Sequence, residues 1–447
     1  MKRSAVDRDI RRLALPALGA LIAEPLFLLT DTAMVGHLGQ DPLAGLGLAG
    51  TILQTIVGLL IFLAYATTPF VSRRLGAGDR AGAMSAGVDG LWLAALLGVM
   101  MGLLGMLSGR SIVDWFAAAP EVSTLAHSYL SLSWWGLPGM LLVLGATGVL
   151  RGLQDTVTPF AVALVGFSAN IGLNALFIYG MGWGLVGSAV GTVIAQWGMA
   201  LWLSIVVIRH ARTEGVSLLP GRAGVLGAMK LGGWLFIRTI SLRVAFVGAT
   251  VVATTLGTAE LATWHVAFTV FSLIALALDS LAIAGQALVG HRLGQGDRAE
   301  TRAVVNRLTS WGWLSGSALG IALMALSPVL PLAVTSDETV RSFLIPTLIT
   351  LGLAMPLGGF VFVLDGVLMG AGDGKYLAAT GVLNVAVLLP LFGLTLWLDD
   401  TTTLEWFGVV ALQASVGFGY LGARALTLGY RARTDRWMVL GVNSRAE

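Results

Sequence analysis

The chain has 447 residues, of which 56% are hydrophobic and only 11% charged, where a soluble domain carries about 25% charged residues. The apolar residues come in long blocks without strand-like alternation, which excludes a soluble globular fold and points to an all-α integral membrane protein. The absence of cysteine excludes a disulfide framework, an iron–sulfur cluster and a thiolate zinc site. The net charge of +3 sits in short loops, which gives no reason to expect nucleic acid as a partner.

The basic start runs into a long apolar stretch with no small-residue cleavage pattern, so the first helix is expected to stay in place. Twelve transmembrane helices follow from the hydropathy, at about 13–35, 43–71, 84–108, 125–150, 157–179, 184–208, 232–256, 261–289, 305–333, 340–371, 376–398 and 404–430. Between the sixth and seventh, residues 209–231 hold Gly215, Pro220, Gly221 and Gly224 and read as a flexible cytoplasmic linker. The expected organisation is an N-terminal six-helix lobe over 1–208, that linker, a C-terminal six-helix lobe over 232–435 and a cytoplasmic tail over 436–447.

Lysine and arginine in the loops set the orientation. With the N-terminus in the cytoplasm, 22 of them, from Lys2 and Arg3 to Arg436 and Arg445, fall on the cytoplasmic side, and only Arg110 and Arg341 fall outside. Both termini are therefore expected in the cytoplasm of a multi-pass protein of the cell (plasma or inner) membrane.

The two halves repeat each other. VSRRLGAGDRA over Val71–Ala81 and VGHRLGQGDRA over Val289–Ala299 agree at eight of eleven positions, at an offset of 218. GVLRGLQD over Gly148–Asp155 and GVLMGAGD over Gly366–Asp373 agree at five of eight at the same offset. One offset in separated segments indicates duplication. Six helices per half is an even number, so the halves run parallel and are related by a pseudo-two-fold along the membrane normal. The repeated loop reads both as a helix-ending turn and as a lock for a closed state.

Ionisable residues within apolar helices are costly and need a partner or a purpose. On helix 1, Glu24 and Asp31 are seven residues apart, about 10 Å along one face, and Pro16 and Pro25 can kink that helix. A carboxylate with so little water around it is suited to taking up and releasing a proton; the alternative for Asp31 is a hydrogen bond to a neighbouring helix. Asn170 and Asn174 stand one turn apart on helix 5 and share a face, either as a polar site or as interhelical glue. In the second half, Arg238 and Arg243 on helix 7 match the depths of Asp365 on helix 10 and Asp279 on helix 8, which predicts the pairs Arg238–Asp365 and Arg243–Asp279. Asp155 and Asp373 are expected to cap helices or turns, and Trp134 and Trp135 to anchor at the outer interface.

The stretch from Ala14-Leu15-Pro16 through Glu24-Pro25-Leu26 to Thr30-Asp31-Thr32-Ala33-Met34-Val35-Gly36-His37-Leu38-Gly39 resembles the first helix of the multidrug and toxic compound extrusion (MATE) family, and in particular its DinF-like branch. The repeated loops resemble that family too, and the likeness covers nearly the whole chain. The resemblance implies a two-lobed antiporter that exports small organic compounds, cationic or amphipathic, against inflowing protons or sodium. It implies that Asp31, Asn170, Asn174 and Thr192 form a coupling site, with Glu24 nearby. Asn174 stands where the family places an acidic residue, and one carboxylate fewer favours protons over sodium, since hard cations want charged oxygens. No cofactor beyond the coupling ion is implied; the partners are small-molecule substrates and membrane lipid, without nucleic acid or nucleotide, and the expected state is a monomer.

Other functions leave weaker traces. A lipid-linked flippase of the same superfamily is the nearest alternative. A major facilitator transporter would place its arginine pair after the loop glycines, not before them. A membrane enzyme would need clustered His, Asp or Glu, and the five histidines are scattered. No nucleotide loop and no channel filter is visible. The sequence implies no catalysis and no metal site.

Overall fold

A computed structural model of the chain describes residues 3–442; Lys2, Arg445 and the end of the expected tail lie outside them. Twelve long helices follow in order: α1 (Arg3–Gly36), α2 (Gln40–Gly76), α3 (Arg80–Trp115), α4 (Pro120–Gly152), α5 (Val157–Gly180), α6 (Gly184–Thr213), α7 (Arg222–Leu256), α8 (Thr258–Gly294), α9 (Arg298–Leu326), α10 (Glu338–Gly370), α11 (Gly374–Thr401) and α12 (Phe407–Arg433). Among the described residues there is no strand. Eleven helices are both long and apolar enough to cross a membrane. The twelfth, α9, has 29 residues, length enough at about 1.5 Å per residue, but a charged first turn and the tryptophans Trp311 and Trp313 dilute its apolar content. It stops at Leu326, short of the expected 333, because Pro328 and Pro331 lack the N–H that would continue it.

The chain divides into two compact units, residues 15–232 in one, and in the other residues up to 14 together with those from 233 onward. α1 therefore contributes its first turns to one unit and its remainder to the other. Its helical assignment continues through Pro16 and Pro25.

The duplication is visible in local geometry. Gly78 (φ 82°) and Gly296 (φ 76°) hold the same left-handed turn, which glycine adopts without the cost of a side chain. The next residue in each copy caps the following helix: Asp79 accepts from the Gly82 N–H and Asp297 from the Glu300 N–H, both at 2.8 Å. The repeated arginine braces the same turn, Arg74 donating to the Gly82 carbonyl at 3.1 Å and Arg292 to Glu300 at 2.9 Å. The loops are thus turns, as one of the two readings held. Within each unit small residues let helices approach closely. Gly98 and Gly102 of α3 lie against Pro138 and the Trp134 carbonyl of α4, and their counterparts Gly316 and Gly320 of α9 lie against the Met355 and Gly352 carbonyls of α10. Gly105 and Gly109 leave the space that the Trp134 ring fills. Trp134 is consequently a core residue, 1% exposed, and not the interfacial anchor expected; Trp135 is exposed.

Helices take up much of the segment expected to be a flexible linker, since α6 runs to Thr213 and α7 begins at Arg222. The turn between them is tied to α3. Buried Asp89 accepts from the Gly221 N–H at 2.6 Å and so caps α7 from another helix, and Trp92 Nε1 donates to the Leu218 carbonyl at 2.8 Å. A Cβ at Gly224 would run into the Asp89 carboxylate, so these glycines make room for a contact more than they supply flexibility.

Candidate functional site

In the unit formed by residues 15–232, Asp31 is buried at 4% exposure on α1. Its Oδ1 accepts from Asn174 Nδ2 on α5 and from Ser188 Oγ on α6, each at 2.7 Å. One turn before Asn174, Asn170 donates through Nδ2 to Thr192 Oγ1 at 3.2 Å. The two asparagines share a face of α5 and are both nearly inaccessible. Tyr129, buried on α4, faces the hydroxyls of Ser188 and Thr192. Gly191 on α6 leaves room for the Asn174 amide, whose oxygen a Cβ would meet. The carbonyl oxygens of Asn170 and Asn174 are buried and receive no hydrogen bond among the described residues.

The structure therefore brings Asp31, Asn170, Asn174 and Thr192 into one polar cluster within apolar helices. Ser188 and Tyr129 were not legible as members, because a lone hydroxyl in an apolar helix is commonplace. Glu24 does not join them: it is exposed on α1 while Asp31 is buried. Seven residues fall about 20° short of two full turns, but equal azimuth does not give equal cover. The cluster's single carboxylate meets neutral donors only, so gain or loss of its charge leaves no fixed cation stranded beside it.

The other unit is built differently. Asp365 on α10, also 4% exposed, takes two arginines: Arg238 of α7, through Nε at 3.1 Å and Nη2 in close contact, and Arg424 of α12, through Nη2 at 2.9 Å. The pairing Arg238–Asp365 appears as depth counting predicts. Arg424 was missed because it precedes the basic end of α12 and reads with it. The pairing Arg243–Asp279 does not form. Arg243 is exposed and makes no ion pair among the described residues, while Asp279 has interactions of its own. Depth counting fixes height but not azimuth: five residues separate Arg238 and Arg243, about 140° around the helix. Of the two expected caps, Asp155 accepts from the Val157 and Thr158 N–H groups at 3.0 and 2.9 Å, whereas Asp373 accepts instead from Arg431 Nε at 2.7 Å.

Comparison with known proteins is consistent with this architecture. The sequence model of the MatE family matches residues 16–176 and 236–394. The chloroplastic protein DETOXIFICATION 44 of Arabidopsis thaliana is 30% identical over 441 residues, spanning 94% of this chain and 83% of that protein. DNA damage-inducible protein F of Escherichia coli is 26% identical, across 94% of this chain and 91% of its own length. Among solved structures, a mutant of the Vibrio cholerae MATE transporter VcmN superposes with a TM-score of 0.86 at 20% identity, covering 98% of this chain and 99% of that one.

Proposed function

Because the chain belongs to the MatE family of multidrug and toxic compound efflux transporters, we propose that it is a proton-coupled antiporter exporting small organic, amphipathic compounds by alternating access. It acts as a single chain in the cell membrane with both termini cytoplasmic. Asp31 carries the coupling proton. The observation that supports this is the polar cluster itself: one buried carboxylate with both donors to Oδ1 neutral. Proton uptake there changes the net charge of a water-poor site by a whole unit, and a change of that size can bias a helix bundle between two arrangements. Asn174 and Ser188 orient the carboxylate, and the Asn170–Thr192 pair one turn away extends the polar cluster.

Sodium coupling is a second reading, favoured by the donor-free carbonyl oxygens of Asn170 and Asn174, which a hard cation could use. Protons are preferred because the cluster offers one carboxylate only, and its Oδ1 already faces two donors. The discriminating experiment uses the full chain in liposomes loaded with a fluorescent amphipathic dye, driven by either a pH gradient or a sodium gradient. The expected result is dye movement with the pH gradient and none with sodium alone at uniform pH; movement driven only by sodium would overturn the proton reading.

A further inference from the structure

Arg243 of α7 is a charged side chain in an unusual place. It lies within the apolar stretch of α7, thirteen residues before Leu256, roughly 20 Å from that end of the helix and too deep for a lipid headgroup. It is exposed, and it has no hydrogen-bond or ion-pair partner among the described residues. Between Ile237 and Thr254 the exposed positions of α7 fan out over one arc of about 140°. Ile237, Ile240, Val244, Val247 and Val251 form the apolar row of that arc, and Arg243, Thr250 and Thr254 the polar row at its edge, centred about 80° from the first. The apolar row suits lipid. An arginine placed against lipid at this depth would cost at least roughly 2.5–3.5 kcal/mol, so the polar row is the wetted face.

Beside that row lies an aromatic surface. Phe246, one turn beyond Arg243, packs against Phe268 and Phe271 of α8 with ring centroids 5.1 and 5.6 Å apart. All three rings are only half-buried. Of the acidic residues in this unit, buried Asp365 already holds Arg238 and Arg424, and Asp279 has interactions of its own. A wetted guanidinium without a partner among the described residues, near half-buried aromatic rings, has the chemistry to hold an anionic group together with a flat apolar body.

We propose that Arg243 is a substrate-recognition residue that binds the carboxylate, sulfonate or phosphate of an amphipathic compound, whose ring system rests on Phe246, Phe268 and Phe271. This deepens the export reading and departs from the expectation of cationic cargo. It rests on that reading for the word substrate, but binding can be measured without transport. The test is fluorescence polarisation on the full-length protein in detergent, with fluorescein as an anionic probe and rhodamine 6G as its cationic relative. The expected result is that Arg243→Gln weakens fluorescein at least ~10-fold, the loss of one charge-assisted contact. Arg243→Lys should recover part of it, with rhodamine 6G unchanged in both. Equal fluorescein affinity in wild type and Arg243→Gln, or no fluorescein binding by wild type, would overturn the proposal.

A second variant guards against misfolding of the first. The chain has no cysteine, so Arg243→Cys carries a single thiol, which a membrane-impermeant sulfonated methanethiosulfonate should modify in proteoliposomes. A thiol that stays unmodified would overturn the wetted face and the proposal with it. If fluorescein binding depends on Arg243 while no pH gradient drives any dye, the export reading fails and the recognition role stands.

Discussion

Each unit buries two aspartates to 4% exposure, and two of these, Asp31 in one unit and Asp365 in the other, are surrounded in opposite ways. Asp31 meets the amide of Asn174 and the hydroxyl of Ser188, whereas Asp365 meets the guanidinium groups of Arg238 and Arg424. The duplication did not carry either arrangement into the other half. At the 218-residue offset, Ala249 stands where Asp31 does and Thr147 where Asp365 does. One backbone repeat thus holds two kinds of charge. A carboxylate among neutral donors can change its charge without orphaning a cation. A carboxylate between two cations is an internal strut, because its neutralisation would take the ionic partner from the buried guanidinium of Arg424 and from Arg238 beside it.

The contrast is broken most directly at Asp365. Asp365→Asn should cost about 3–5 kcal/mol, read as a large drop in the thermal unfolding midpoint in detergent or as failure to accumulate in the membrane. A stable, normally expressed Asp365→Asn protein would show that the strut is not one. Arg424→Gln is the milder cut, since the Arg238–Asp365 pair survives it. Loss of a hydrogen bond to a charged group suggests about 1.5–3 kcal/mol, and a penalty matching that of Asp365→Asn would mean that the arginines do not share the carboxylate. On the other side, Ser188→Ala removes one neutral donor and should lower stability by only about 0.5–1.5 kcal/mol. Its larger effect should be on pH-gradient-driven export, and a variant that loses stability while exporting normally would reassign Ser188 to packing.

Much of the fold is legible in the sequence because lipid leaves the chain few choices. Long apolar blocks must be helices, and the loop glycines and aspartates at one offset announce the same turn twice. Helix ends are less legible: the ninth helix stops before Pro328, although apolar residues continue past it. At the candidate site, Asp31 and Asn174 stand out because an acid or amide in an apolar helix needs a reason to be there. Ser188 and Tyr129 do not stand out, because hydroxyls occur throughout apolar helices and only the packing of α4 and α6 brings these two together. The Arg243–Asp279 expectation failed for a related reason. Counting residues along a helix gives depth, and the missing coordinate is rotation about its axis.

Exchange of the coupling proton at Asp31 is tested by counting protons. Purified full-length protein in lightly buffered detergent solution, with a pH-indicator dye, is mixed with a transported amphipathic compound. Wild type should release protons as the compound binds and Asp31→Asn none, while the variant's thermal unfolding midpoint stays close to that of wild type. Equal proton release from Asp31→Asn and wild type would contradict proton exchange at Asp31.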